Sequence, residues 1–337
     1  VSLESILSLA ERLVSIKSIS GTETLALEAM EEELRGREFN LERLAIPNDS
    51  RWNILATVGT PRIILTTHLD VVPGPDALFT PRREAGRLWG RGSCDAKGIA
   101  AVMVEAVTNI VRAGRKDVGL LFVVDEETVS TGAKAAAPEL KKRGVEFIIN
   151  GEPTECNLVT GHKGAFTVEI SFTGKPAHSG YPHLGEDANN KLIRTCHTLM
   201  NADFGTSELL GKATINLGII SGGVATNVVS PKARVRALIR SVTPNAENLE
   251  KLKAFCPEAS GFEIIGNGEP IVLHTIPGFP TMPVAYGTDV PYLMASGAKC
   301  LLYGPGTIEV AHTDFESVEF SQLEKAYAGY QEIVARL

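Results

Sequence analysis

Two histidines and a set of carboxylates are the side chains most able to do chemistry here: His68, Asp70, Asp95, Asp125-Glu126-Glu127, Glu152 and His312. Most of them follow directly on an apolar, strand-like run. Arg62-Ile63-Ile64-Leu65-Thr66-Thr67 leads into His68-Leu69-Asp70, and the run from Val118 to Val124 leads into Asp125-Glu126-Glu127. The run from Val145 to Asn150 leads in the same way into Gly151-Glu152-Pro153. In an open α/β sheet, ligands bind in the crevice outside the carboxyl ends of the strands. These runs therefore aim acid and imidazole at one mouth. Such a donor set suits divalent metal, here enough for two ions. Each piece alone has an ordinary explanation. An H-x-D can be a cap or a core hydrogen bond, an acidic run can be a helix's first turn, and Gly-Glu-Pro can be a turn. His312 alone could be a surface histidine. Together they resist that explanation, because carboxylates buried side by side are costly unless cations neutralise them. The constellation points to a metal-dependent hydrolase.

The elements that must position these groups alternate. Leu3, Ile6, Leu7, Ala10, Leu13 and Val14 recur at helical spacing, and a second amphipathic stretch covers about 22–35. Strands are predicted near 41–46 and 52–58, then at the run before His68. Gly90-Arg91-Gly92-Ser93-Cys94-Asp95-Ala96-Lys97-Gly98 forms a glycine-rich turn into an apolar helix at about 98–113, with Asp95 near the helix start. It lacks the GK[ST] order of a Walker loop. With a helix near 131–143, the first half reads as βαβ units on a mostly parallel sheet. After about residue 163 the pattern changes. Ala165 to Phe172 alternates like a strand buried on one face, and the order becomes βαββαβ, the ferredoxin-like arrangement. Sheet residues resume at 270–273 and 299–303, and a helix over about 317–336 closes the chain. The expectation is a discontinuous α/β catalytic domain, 1–163 and 269–337, with an α+β domain inserted at 164–268.

A length of 337 residues accommodates two domains, and a hydrophobic content of 44% supplies their cores. The apolar runs are strand-sized, well short of the ~18 residues of a membrane span, so neither a membrane span nor a secretory leader is expected. A net charge of −7 without a basic cluster argues against nucleic-acid partners. Five cysteines with no C-x-x-C pair fit reduced thiols, so a cytoplasmic location is expected.

Thr67-His68-Leu69-Asp70, Gly90-Arg91-Gly92 with Asp95-Ala96-Lys97-Gly98, Asp125-Glu126-Glu127, Gly151-Glu152-Pro153 and Ala311-His312-Thr313 resemble, in this order, the M20 metallopeptidases. That group includes acetylornithine deacetylase, succinyl-diaminopimelate desuccinylase, aminoacylase and carboxypeptidase G2. The resemblance spans nearly the whole chain and implies two zinc ions, with cobalt able to substitute. It implies His68 and Glu152 on one ion, Glu127 and His312 on the other, and Asp95 bridging them. Asp70 would hold the His68 imidazole in its ligating tautomer, as carboxylates behind metal-bound histidines do. Glu126 would be the general base. His178, in Ala177-His178-Ser179-Gly180, would stabilise the oxyanion from a second subunit, which implies a homodimer formed through the inserted domain. Asn227 and Arg240 resemble the holders of a substrate α-carboxylate, although this chain has Leu238 where many relatives carry an acid. Gly304-Pro305-Gly306 resembles the family's backbone loop near the substrate. Cys94 reads as a packed thiol.

The implied substrate is an N-acyl-L-amino acid, with N-acetyl-L-ornithine of arginine biosynthesis first. The alternatives are a desuccinylase of N-succinyl-diaminopimelate, an aminoacylase or a dipeptidase. A binding protein that kept the fold and lost the chemistry would lack a ligand or the base, whereas every expected position is filled.

Overall fold

A computed structural model describes residues 2–337. The chain forms two compact units, Val1–Val159 with Leu273–Met282 and Thr288–Leu337, and Thr160–Val272 with Pro283–Gly287. These bounds differ by a few residues from the expected 164–268, and Pro283–Gly287 joins the second unit rather than the first.

The first unit is built on a six-stranded sheet. Its order is Asn40–Ala45, Trp52–Thr57, Val118–Val123, Ile63–His68, Phe147–Asn150, Lys299–Leu302. The last four strands are parallel neighbours, while the first two join antiparallel. Every residue of Ile63–His68 and of Val118–Val123 is buried. This is why both runs are continuously apolar or β-branched: a parallel strand covered on both faces has no solvent side to mark with polar residues. Each Ile, Leu or Phe so buried contributes about 1.5–3 kcal/mol relative to exposure. The helix Lys97–Arg112 is buried over most of its length and packs on these two strands. Leu3–Val14 and Phe320–Arg336 pack on that helix in turn.

Two features depart from expectation. The closing helix begins at Phe320, because Ser317–Glu319 is a strand paired with Arg87–Trp89. Leu158–His162 is a further strand that the sequence pattern did not signal.

In the second unit Ala165–Thr173, Thr214–Gly222, Lys232–Arg240 and Gly261–Gly268 form an antiparallel sheet. Its order is Thr214–Gly222, Lys232–Arg240, Ala165–Thr173, Gly261–Gly268, which is the ferredoxin-like order. Phe166, Val168, Ile170 and Phe172 alternate inward and form one core with Leu192 and Leu199 of the helix Ala188–Met200. Among the described residues, no helix is long and apolar enough to cross a membrane.

Candidate metal centre

Four neighbouring parallel strands lead to His68, Glu127, Glu152 and His312, and Asp95 sits just before the helix Lys97–Arg112. Ile63–His68 ends in His68, and Val118–Val123 runs into the acidic loop. Phe147–Asn150 precedes Glu152, and Lys299–Leu302 leads to the segment bearing His312. Hydrogen bonds lock the strand ends together: Gly151 N donates to the Thr66 carbonyl at 2.8 Å, and Thr67 Oγ1 donates to the Gly151 carbonyl at 2.8 Å. A Cβ on Gly151 would stand 2.5 Å from Ile99 Cγ2 and 2.4 Å from Met103 Cε, so a side chain there would crowd the helix Lys97–Arg112.

The donors fall into two trios, His68–Asp95–Glu152 and Asp95–Glu127–His312, and within each the ligand-type atoms lie within 4.8 Å of one another. Asp95 belongs to both. Its Oδ1 lies 3.1 Å from His68 Nε2, and its Oδ2 lies 3.5 Å from His312 Nε2. His312 Nε2 also lies 2.9 Å from Glu127 Oε2. The 4.8 Å spread is comparable to twice the about 2.0–2.2 Å between zinc and an imidazole or carboxylate donor. Electrostatics agree with a cation-holding site. Burial, then the neighbouring charge of Glu152, pushes Glu126 well above the ordinary carboxylate range. Burial, then Asp95, does the same to Glu152. Burial works against ionisation of Asp95 too, but hydrogen bonds from His312 and His68 outweigh it and hold that carboxyl low. Hydrogen bonds to Asp95 and Glu127 hold the His312 imidazolium up to about 10. Acids that repel one another, faced by imidazoles drawn to them, form a donor set that fits two divalent cations.

Asp70 faces His68 with both its backbone carbonyl and its carboxylate. His68 Nδ1 meets the Asp70 backbone carbonyl at 3.0 Å, while the Asp70 carboxylate stands 3.5 Å away. Donation to that carbonyl leaves Nε2 free to face Asp95. The carboxylate also accepts the amides of Glu126 and Glu127, both at 3.1 Å, and the Ser20 hydroxyl at 2.7 Å. One buried side chain thus fixes the backbone of both adjacent glutamates. Behind them Asp125 is left-handed at φ +69°, a conformation that costs a non-glycine residue about 1 kcal/mol or more. Thr128 and Thr131 hydroxyls hold its carboxylate at 2.6 and 2.7 Å, and its amide donates to Glu23. Glu23 is fully buried and receives Arg51 Nη1 at 2.7 and 2.8 Å.

Gly304 and Gly306 lie beside this centre with their polar groups already engaged. The Gly304 carbonyl accepts from Thr154 and Cys156, and its amide donates to Thr154 Oγ1. The Gly306 carbonyl accepts from Glu155, and its amide donates to Gln322. A Cβ on Gly304 would meet the Glu152 carbonyl oxygen at 2.5 Å. These glycines brace the Glu152 segment. Cys94 is fully buried with its thiol pushed well up by burial, in keeping with a packed role.

His178, Asn227 and Arg240 belong to the second unit. His178 and Asn227 lie on adjoining exposed loops, with Ser179 N donating to the Asn227 carbonyl at 3.0 Å. Gly180 N donates to His178 Nδ1 at 3.1 Å, so in the neutral ring the proton sits on Nε2. Arg240 ends the strand Lys232–Arg240, is partly buried, and has no ion-pair partner among the described residues. Burial holds its guanidinium below its ordinary value.

Glu316, Ser20, Glu23 and Asp289 went unnoticed in the sequence. Asp289 is nearly fully buried, with its carboxyl pushed up to about 7 by burial. None of the four carries a periodicity or motif that separates it from ordinary surface acids and hydroxyls.

The profile of peptidase family M20/M25/M40 matches residues 64–336. The chain is 38% identical, over 98% of its length and 84% of the relative's, to a peptidase M20 domain-containing protein of Schizosaccharomyces pombe. It is 35% identical, over 99% of its length and 87% of the relative's, to a probable carboxypeptidase of Aspergillus fumigatus. Among solved structures, a tripeptidase from Staphylococcus aureus superposes with a TM-score of 0.82 at 19% identity, covering 100% of both chains. A dinuclear metal-binding peptidase of the M20 family from Bacillus subtilis does so with a TM-score of 0.72 at 13% identity, covering 99% and 98%. Those two likenesses are of fold, and the relatives at higher identity carry the kinship. With a profile that runs from the strand before His68 almost to the last residue, the chain belongs to peptidase family M20/M25/M40, metal-dependent hydrolases of amide and peptide bonds.

Proposed function

We propose that this chain cleaves the amide bond of an N-acyl-L-amino acid whose α-carboxylate is free. The observation that carries the reading is Asp95, with one oxygen toward His68 and the other toward His312. On this reading His68 and Glu152 hold one zinc, Glu127 and His312 hold a second, and Asp95 serves both, with cobalt able to replace zinc. Two such cations, when bound, acidify water and polarise an amide carbonyl. Glu126 takes the proton of the attacking water and returns it to the departing amine. Asp70 keeps Glu126 and Glu127 in register through their amides. His178 donates from Nε2 to the developing oxyanion, supplied by a second copy of the chain in a homodimer formed through the second unit. The unpaired Arg240 forks onto the α-carboxylate beside Asn227, while Gly304 and Gly306 shape the floor behind Glu152. Five free, buried cysteines are consistent with a reducing cytoplasm.

Within that class N-acetyl-L-ornithine is the first candidate, N-succinyl-diaminopimelate the next. A C-terminal peptide bond presents the same acylated amine and free carboxylate, and the Aspergillus fumigatus relative is named a probable carboxypeptidase. The deciding experiment assays chelator-treated protein, with and without added zinc or cobalt, on N-acetyl-L-ornithine, N-succinyl-diaminopimelate, other N-acyl amino acids and N-blocked dipeptides. Metal-dependent turnover that disappears when the carboxylate is esterified is expected. Turnover without metal, or indifference to esterification, would sink the reading. A higher kcat/KM on blocked dipeptides would replace ornithine with a carboxypeptidase substrate.

A further inference from the structure

We propose that Glu316, acting with Arg91, is a positioning residue that locks the Asp95 loop and the His312 turn into one frame, and so controls loading of the ion held by Asp95, Glu127 and His312. The proposal rests on the two-ion reading above and adds to it a residue that contacts neither ion nor substrate.

Glu316 is 1% exposed and lies just before the strand Ser317–Glu319. Its Oε1 accepts three backbone amides of the Asp95 loop, from Gly92 at 2.8 Å, Cys94 at 3.2 Å and Asp95 at 3.1 Å. Such converging N–H groups form an anion-binding nest, here filled by the protein's own carboxylate. Its Oε2 accepts Arg91 Nη1 at 2.5 Å, and the same nitrogen reaches the Thr313 carbonyl at 3.2 Å. Gly90 N donates to the Glu316 backbone carbonyl at 3.1 Å. The loop that carries the shared ligand and the turn that carries His312 are therefore joined through one carboxylate and one guanidinium.

Net stability explains this arrangement poorly. Arg91 is 2% exposed, and a buried ion pair often does no better than apolar residues of the same volume. What the pair does supply is geometry. Asp95 Oδ2 stands 3.5 Å from His312, against 3.1 Å between Oδ1 and His68, so of the two contacts Asp95 makes, the one to His312 is the longer. His312 is also half-exposed and left-handed at φ +64°, which leaves its placement dependent on what braces the turn. A carboxylate is required at position 316. Glutamine would turn its NH2 either toward Arg91 or toward the three amides, a donor against donors in both cases.

The test is equilibrium zinc binding to chelator-treated full-length protein, comparing wild type, Glu316→Gln and Arg91→Lys, with thermal unfolding of each metal-free protein alongside. Lysine keeps a cation near Glu316, but its stem is one bond shorter and carries the ammonium short of the point between Glu316 and the Thr313 carbonyl that Arg91 Nη1 occupies. Wild type is expected to bind two ions. Both variants should bind the first ion much as wild type does and the second about 10–100-fold more weakly, the range seen when partners of metal ligands are removed. Activity should return when zinc is raised to saturate the second ion. Unchanged second-ion affinity in folded Glu316→Gln would overturn the proposal, as would an equal weakening of both ions. Should Glu316→Gln fail to fold, Arg91→Lys decides, with unchanged second-ion affinity overturning it. A wild type that binds fewer than two ions would instead sink the underlying two-ion reading.

Discussion

Glu126 and Glu127 are adjacent in sequence, yet the proposed mechanism gives them different work, and the Asp70 carboxylate receives the amides of both. The hydrogen bonds run to backbone, so replacing the Glu126 side chain leaves the scaffold and the Glu127 donor in place. Glu126→Gln should therefore keep its metal content and its melting temperature while kcat falls about 10²–10⁴-fold. Near-normal kcat in a metal-loaded variant would take the proton-carrying role away from Glu126. The donors themselves were legible in the sequence because their types are rare together and most follow strand-like runs. Glu316 and Ser20 were not legible, since each acts through hydrogen bonds to partners far along the chain. That Gly304 and Gly306 brace Glu152 was hidden for the same reason: their amides and carbonyls find partners only after folding.

The elements that carry the donors are held by packing and by a few paired charges. On the helix Thr24–Arg35, Glu31 accepts Arg43 Nε and Nη2 at 2.6 and 2.7 Å and Trp52 Nε1 at 2.8 Å. The pairing ties that helix to the strands Asn40–Ala45 and Trp52–Thr57. Arg43's hydrogen bonds, against the effect of burial, hold the Glu31 carboxyl below its ordinary value of 4.5. A carboxyl lowered on folding binds fewer protons in the native state, so its stabilisation is present above the unfolded value and lost as pH falls through the folded one. Glu31→Gln should lower the melting temperature by a few degrees at pH 7, and the gap to wild type should close below about pH 4. A gap that stays constant down to pH 3 would assign the loss to packing. Strong periodicity made most elements legible, above all the wholly buried parallel strands. Ser317–Glu319 was not, because three residues carry no period and its pairing with Arg87–Trp89 is non-local.

For the assembled molecule, the proposal that His178 works across a dimer makes a distinctive claim. Glu126→Gln and His178→Ala should each be nearly inactive alone. Mixed dimers would hold one complete site, so an equimolar mixture allowed to exchange subunits should recover about a quarter of wild-type activity. No recovery, with exchange verified, would confine His178 to its own chain or remove it from the reaction. The ferredoxin-like order of the second unit was readable from its alternating strands. Its borders were less so, because Pro283–Gly287 returns to that unit after the chain has left it. The first unit is assembled from both halves of the chain, since Lys299–Leu302 completes a sheet beside Phe147–Asn150. A ribosome must therefore make the whole second unit while Phe147–Asn150 waits as an open sheet edge, the kind of surface that recruits stray chains. Translation that ends before Lys299 yields neither a finished sheet nor a full set of donors.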